Sequence, residues 1–295
     1  RCDMDKTKGI VFGILAAFIY GFTPILGKLT FLEGSNTMSL AFYRNLLSLP
    51  FLYSLLKYKK IDISINKAQG KKLAILASMG PTLTALCLYR SYSYISVGMA
   101  TTIHYIYPVL VAAASITIFK EKISIGKLIA LFLSTAGVAL FFEGDFNIIG
   151  VASAFISGVV YATHMLYIDK SGLNAIYPFK ISFYLSMFSS VYLFAAGIIS
   201  KNLVFVMTPK GWLYTILLAF FVSCLANTFI PISIKYSGPT VTSIVGLFEP
   251  ITSIVTGILF LKEPITTKSV LACVLILLGV FIVTVAKEKN LNNNN

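Results

Sequence analysis

TTIHYIYPVLVAAASITIFKEKI at positions 101–123 returns as SIVGLFEPITSIVTGILFLKEPI at positions 243–265. One shift of 142 residues lays Tyr94 on Tyr236, Pro108 on Pro250, Ile116 on Ile258 and Lys120-Glu121 on Lys262-Glu263. The same shift lays Ile123 on Ile265 and Gly137-Val138 on Gly279-Val280. A slightly different shift brings Phe18-Ile19-Tyr20-Gly21 near Phe155-Ile156-Ser157-Gly158. The matched Pro, Lys-Glu and Gly positions are not what apolar composition alone would produce. The chain therefore reads as two copies of one unit, 1–145 and 146–288, with an Asn-rich tail over 289–295 expected to be disordered.

What kind of unit repeats is set by composition. Of 295 residues, 57% are hydrophobic and 12% charged, and mean hydropathy is +0.85. A soluble domain carries about 25% charge, so a water-soluble fold is excluded. Disorder fails on apolar content, and a disulfide scaffold fails on four scattered cysteines. Apolar runs lie at 9–29, 37–56, 73–94, 98–119, 125–142, 148–169, 177–200, 212–236, 239–261 and 267–286. Each approaches the roughly 20 residues that a helix needs to span a bilayer. A transmembrane barrel would show segments of about ten residues with alternating polarity. The first run exceeds a signal-peptide core and reads as a retained helix. The expected fold is an all-α integral membrane protein with ten transmembrane helices.

Five helices per copy is an odd number, so the second copy sits upside down in the bilayer. Inverted repeats mark secondary transporters, whose substrate site lies near the midplane between the copies. With both termini inside, sixteen Lys and Arg fall on inner segments, five on outer ones, and Arg44, Arg90 and Lys180 within helices. That asymmetry predicts cytoplasmic termini in a multi-pass protein of the cell membrane. The net charge of +13 has the same origin. The basic residues border helices rather than forming a domain, so no nucleic-acid partner is expected. The expected partners are a small-molecule substrate and membrane lipids, with the chain a monomer or homodimer.

The sequence resembles the drug/metabolite transporter superfamily, specifically a protein of two EamA modules. The resemblance rests on Tyr43-Arg44, the run Ala100 to Phe119 with its central Pro108, and Lys120-Glu121-Lys122-Ile123 followed by the Gly137 helix. The second copy supplies Phe248-Glu249-Pro250, Lys262-Glu263-Pro264-Ile265 and Gly279. These motifs mark the module and not the cargo. The resemblance implies carriage of amino acids, other small metabolites or drugs, mostly outward.

An ionisable side chain inside a bilayer is costly and is by default a functional candidate. Those here are Arg44, Arg90, His104, His164 and Glu249. Glu249 stands near the middle of the ninth segment, on a helical stripe with Thr242, Gly246, Ser253 and Thr256. Pro250 follows it and removes a backbone donor. An amine or proton site, or a pairing with Arg44, would satisfy the carboxylate. The repeat maps Glu249 onto Tyr107 and Gly246 onto His104, which puts the fourth and ninth helices face to face. Arg44 suits bidentate recognition of a carboxylate, and could instead anchor helix-end carbonyls. Tyr161 and His164 share a helix face with Ser153 and Ser157, and Asn227 is a further cavity candidate. The expected substrate-binding set is Glu249, Tyr107, His104, Arg44, Gly246, Tyr161 and Asn227. Glu249, His104 and His164 are the candidates for proton coupling.

Other chemistries lack their residues. There is no GxxxxGK[ST] loop to bind ATP phosphates, and the two histidines and scattered cysteines show no metal-ligand spacing. No catalytic residues, cofactor or metal are expected. An enzyme would need a polar cluster at one interface. A channel would need a filter-like loop or a ring of acids. The sequence reads as a secondary active exporter of small polar metabolites, most simply amino acids or related zwitterions. A multidrug or organic-cation transporter is the alternative, and a channel or membrane sensor the alternative from another class.

Overall fold

The structure, a computed structural model, describes residues 2–95, 97–140, 147–261 and 266–285. Lys262-Glu263-Pro264-Ile265, the junction of the two copies at 145–146 and the Asn-rich tail lie outside the described residues.

The described residues hold helices and no strand. In chain order these are α1 (Cys2–Tyr20), α2 (Thr23–Leu32), α3 (Thr37–Tyr58), α4 (Lys67–Ala77), α5 (Ala85–Ser91), α6 (Val97–His104) and α7 (Tyr107–Thr117). Then follow α8 (Ile125–Ala139), α9 (Ile148–Lys170), α10 (Pro178–Ile199), α11 (Pro209–Leu218), α12 (Asn227–Gly246), α13 (Glu249–Leu261) and α14 (Thr267–Val285). Among the described residues, six helical stretches are long and apolar enough to cross a membrane: Lys6–Leu32, Lys67–Ser91, Met99–Thr117, Ile148–Lys170, Pro178–Ile199 and Pro209–Gly246. Ile125–Ala139 and Val270–Thr284 are shorter apolar helices. Phe132, Leu259 and Phe281 are among many large apolar side chains on the outside. In water such a surface would aggregate; in a bilayer it is the solvated face.

Local chemistry fixes the helix ends. Asn36, Asn66, Ser124, Asn147 and Thr208 each accept a backbone N–H in the first turn of α3, α4, α8, α9 and α11. That satisfies donors a helix start leaves free. Gly238 breaks α12 with φ +78° and ψ 164°, a backbone conformation suited to glycine, and Pro239 restarts the helix.

The ninth segment is not one helix. It stops at Gly246 and resumes at Glu249, so the expected stripe of Thr242, Gly246, Glu249, Ser253 and Thr256 is not continuous. Thr242 bonds Ser233 and the carbonyl of Gly238, and Thr256 bonds the carbonyl of Thr252. The fourth segment breaks at the matching place, between His104 and Tyr107. The backbone follows the same path at both breaks. Val109 N–H donates to Ile106 O at 3.0 Å and Ile251 N–H to Phe248 O at 3.1 Å. Pro108 and Pro250 have no N–H to continue the helix across either break.

A second matched pair was invisible in the sequence. Ser78–Thr84 and Ala219–Ala226 are both π-helical, and they sit at equivalent places in the two copies. Wide turns of this kind occur often at functional sites.

Packing follows the same equivalence. α1 packs on α12 and α9 on α5, while α3 packs on α10 and α8 on α14. Gly9 lies against Tyr236 and Ser237, and Gly150 against Tyr94 and Ile95. These contacts pair Gly9 with Gly150, and by the same register Tyr20 with Tyr161. That differs from the register read from Phe18-Ile19-Tyr20-Gly21, because close helix approach, not local resemblance, sets it.

The antiparallel pair α3·α10 is tied at both ends by the loops that follow these helices. In the first loop, Ser64 O accepts from Lys180 Nζ, and Ile63 O accepts from Tyr184 Oη at 2.5 Å. In the second, Asn202 O accepts from Asn36 Nδ2 at 2.7 Å, and Val204 N–H donates to Ser39 Oγ at 2.8 Å.

Candidate functional site

The two breaks and the first π-helical stretch line a cavity of about 570 Å³, and Asn227, directly after the second stretch, joins them. Arg44, His104, Tyr107, Tyr161, His164, Asn227 and Glu249 all line it. They come from α3, α6, α7, α9, α12 and α13, so segments far apart in sequence converge here. Gly246 is buried and does not line the cavity. Its role in space is different: a Cβ there would stand 2.5 Å from the Tyr107 hydroxyl. Arg90 is exposed and is not among the lining residues.

Arg44 is more than nine-tenths buried. Its Nη1 donates to Tyr89 Oη at 3.3 Å, and its Nε is buried with no hydrogen-bond partner. Glu249 opens α13 and meets the hydroxyl of Tyr105, while Tyr20, Tyr92, Tyr107 and Tyr161 lie near enough to feel its charge. Among the described residues, Lys170 pairs with Glu121 and Asp169, and Arg44 forms no ion pair with Glu249. Arg44 and Glu249 therefore line one cavity without pairing, and the expected alternative of an Arg44–Glu249 bridge is not what the side chains form. Tyr20 stands within electrostatic range of both charges, and its hydroxyl donates to Asn227 Oδ1 at 2.5 Å.

The two histidines are held alike. Ser157 Oγ gives its only proton to Ala154 O at 2.6 Å, so it receives one from His104 Nδ1 at 2.9 Å. His164 Nδ1 meets the carbonyl of Leu76 at 3.2 Å, and must donate to it. In both rings Nδ1 carries a proton and Nε2 remains for other chemistry. The rings join an aromatic wall: Tyr161 meets Tyr107 edge-on at 4.8 Å, His104 lies 5.4 Å from Tyr107, and Tyr161 stacks on His164 at 5.9 Å. Behind Leu185 and Ile230, the wall continues into a core of Leu73, Leu76, Met165, Ile168 and Ile234.

Among known proteins, the sequence pattern of the EamA-like transporter family matches this chain twice, over residues 7–143 and 148–285. The chain belongs to the EamA-like transporter family. It is thus a multi-pass membrane protein of the drug/metabolite transporter superfamily, and its relatives are transporters. An uncharacterized transporter of Clostridium kluyveri is 23% identical over 97% of this chain and 96% of its own length. An uncharacterized transporter of Haemophilus influenzae is 28% identical over 52% of this chain, which spans half of that protein. Solute carrier family 35 member B1 of Gallus gallus is 25% identical over 58% of this chain and 57% of its own length. A solved crystal structure superposes with a TM-score of 0.81 at 12% identity, covering 94% of this chain and 97% of that one, which shows a shared fold.

In this EamA-like transporter, several lining residues were not singled out from sequence as site residues. Tyr20, Tyr89 and Tyr105 are three of sixteen tyrosines, and tyrosine near helix ends is ordinary in a membrane protein. A register that pairs Tyr20 with Tyr161, in place of the one that laid Tyr20 on Ser157, would have pointed to the first of them. Ser253 lines the cavity while donating to the carbonyl of Gly21 at 3.0 Å.

Proposed function

We propose that this chain is a secondary active exporter of small polar metabolites, most simply amino acids or related zwitterions. The observation that carries the reading is the unpaired state of Arg44 and Glu249 in one cavity. A buried guanidinium and a partly exposed glutamate side chain that do not pair with each other invite a cargo that carries both opposite charges. Arg44, with a free Nε beside a bonded Nη1, would hold the carboxylate. Glu249 would hold the ammonium among tyrosine hydroxyls, and Asn227, Tyr107, Tyr161 and His104 would orient the cargo. Gly246 would set the position of Tyr107. Proton coupling is assigned to Glu249, with His104 and His164 as further candidates through their Nε2 atoms.

The transport cycle is alternating access by ten crossings arranged as two inverted five-helix repeats, with both termini cytoplasmic. The matched breaks, matched π-helical stretches and matched packing pairs support the repeat. The sixteen-to-five distribution of basic residues supports the orientation. The working unit is a monomer or homodimer in lipid.

A second reading, transport of organic cations, draws on the aromatic wall beside Glu249, since aromatic faces attract cations. Counterflow in proteoliposomes separates the two. Vesicles preloaded with unlabelled amino acids should accelerate entry of labelled ones, and Glu249→Gln should abolish that exchange. Acceleration by cationic drugs alone would move the assignment to the second reading. No acceleration by either, from folded protein, would overturn both.

A further inference from the structure

The connection between α3 and α4 is the densest run of basic residues in the chain. Lys57, Lys59, Lys60, Lys67, Lys71 and Lys72 occupy sixteen residues and are all exposed. The acid among them is Asp62, which is occupied by the backbone N–H and hydroxyl of Ser64. Those two bonds, with a smaller contribution from Lys180, hold its carboxyl below the usual range, so the loop keeps one negative charge against six lysines. The first turn of α4 contains no acid, and Lys67 and Lys71 gain nothing from the positive end of that helix.

The patch is also held in shape. Asn66 and Gln69 form a reciprocal cap at the start of α4. Lys180 and Tyr184 of α10 bind the loop carbonyls of Ser64 and Ile63, and Lys72 reaches the carbonyl of Ser171. The cations therefore stand on a fixed backbone at the start of Lys67–Ser91, a stretch long and apolar enough to cross a membrane. Basic clusters of four to eight residues directly flanking a membrane helix attract anionic headgroups.

We propose that this face is an anionic-phospholipid binding surface, with phosphodiester headgroups of the adjoining leaflet as its occupant. Binding there would bridge the end of α3, the start of α4 and, through the loop, the start of α10. This surface is independent of the cargo cavity and of what the cavity carries.

The test uses the full chain in mixed micelles containing equal phosphatidylglycerol and phosphatidylcholine, with retained lipid counted by native mass spectrometry. Wild-type protein should retain phosphatidylglycerol over phosphatidylcholine, and 0.5 M salt should weaken the preference. Each Lys→Gln substitution at 59, 60, 67 or 71 should cost about fivefold in that retention. Replacement of the same positions by Arg should keep it, and controls for fold and topology. Equal retention of the two lipids by wild type would overturn the proposal. So would retention unchanged by the Gln substitutions, or displacement of the lipid by millimolar inorganic phosphate, which would assign the patch to a soluble anion.

Discussion

Gly246 faces the hydroxyl of Tyr107: a Cβ at that glycine would stand 2.5 Å from the Tyr107 oxygen and 3.7 Å from the ring carbon that bears it. The two residues come from opposite copies of the repeat and lie at the two helix breaks. Gly246→Ala should therefore overpack the contact and lower stability by about 1–3 kcal/mol. Tyr107→Phe removes the clashing oxygen and leaves the ring at ordinary van der Waals distance. The double variant Gly246→Ala/Tyr107→Phe should recover most of the lost thermal stability in detergent. If it melts as low as Gly246→Ala alone, the contact is not the reason for the glycine.

That contact also shows how far the sequence could be read. The shift of 142 residues paired Tyr107 with Glu249 and His104 with Gly246, and so brought together helices that are far apart in sequence. Ionisable residues in apolar runs are rare enough to single out, which is why Arg44, His104, His164 and Glu249 were legible before any fold was known. The π-helical stretches were not legible. Ser78–Thr84 contains Gly80 and Pro81, but Ala219–Ala226 has no proline or glycine to mark its wide turn. Helix breaks hide in the same way. A proline permits the break at Glu249 without dictating that the chain stop at Gly246. The register of the first and sixth segments followed chemical likeness at Phe18-Ile19-Tyr20-Gly21, whereas the structure obeys the close approach at Gly9 and Gly150.

Arg44 and Glu249 supply a second expectation, because an unpaired arrangement and a salt bridge respond differently to substitution. Breaking a buried ion pair leaves an uncompensated charge and typically costs about 3–5 kcal/mol. Here Arg44→Gln and Glu249→Gln should each change stability far less, and the double variant should equal their sum within about 0.5 kcal/mol. Thermal melts of the four proteins measure this directly. Transport should divide the variants differently. Arg44→Lys should retain part of the exchange of carboxylate-bearing cargo, as a point charge without the guanidinium fork. Arg44→Gln should lose it. A coupling of several kcal/mol between the two sites would mean that they pair, and the zwitterion reading would lose its main support.

The ties at the two ends of α3·α10 bear on the transport cycle itself. In a carrier built from inverted repeats, the second state arises when the copies exchange conformations. A contact present at both equivalent places in one state is then present at both in the other. The loop after α3 binds the start of α10, and the loop after α10 binds the start of α3, so both ties exist together. α3 and α10 should accordingly stay fixed to one another while the helices around the cavity move. Cross-linking Asn36→Cys to Asn202→Cys, or Ile63→Cys to Tyr184→Cys, with a short thiol reagent should leave counterflow at more than about half its uncross-linked rate, since neither link opposes a motion the cycle requires. Loss of counterflow on cross-linking, recovered when the link is cleaved, would place α3 and α10 among the moving parts and rule out a static pair.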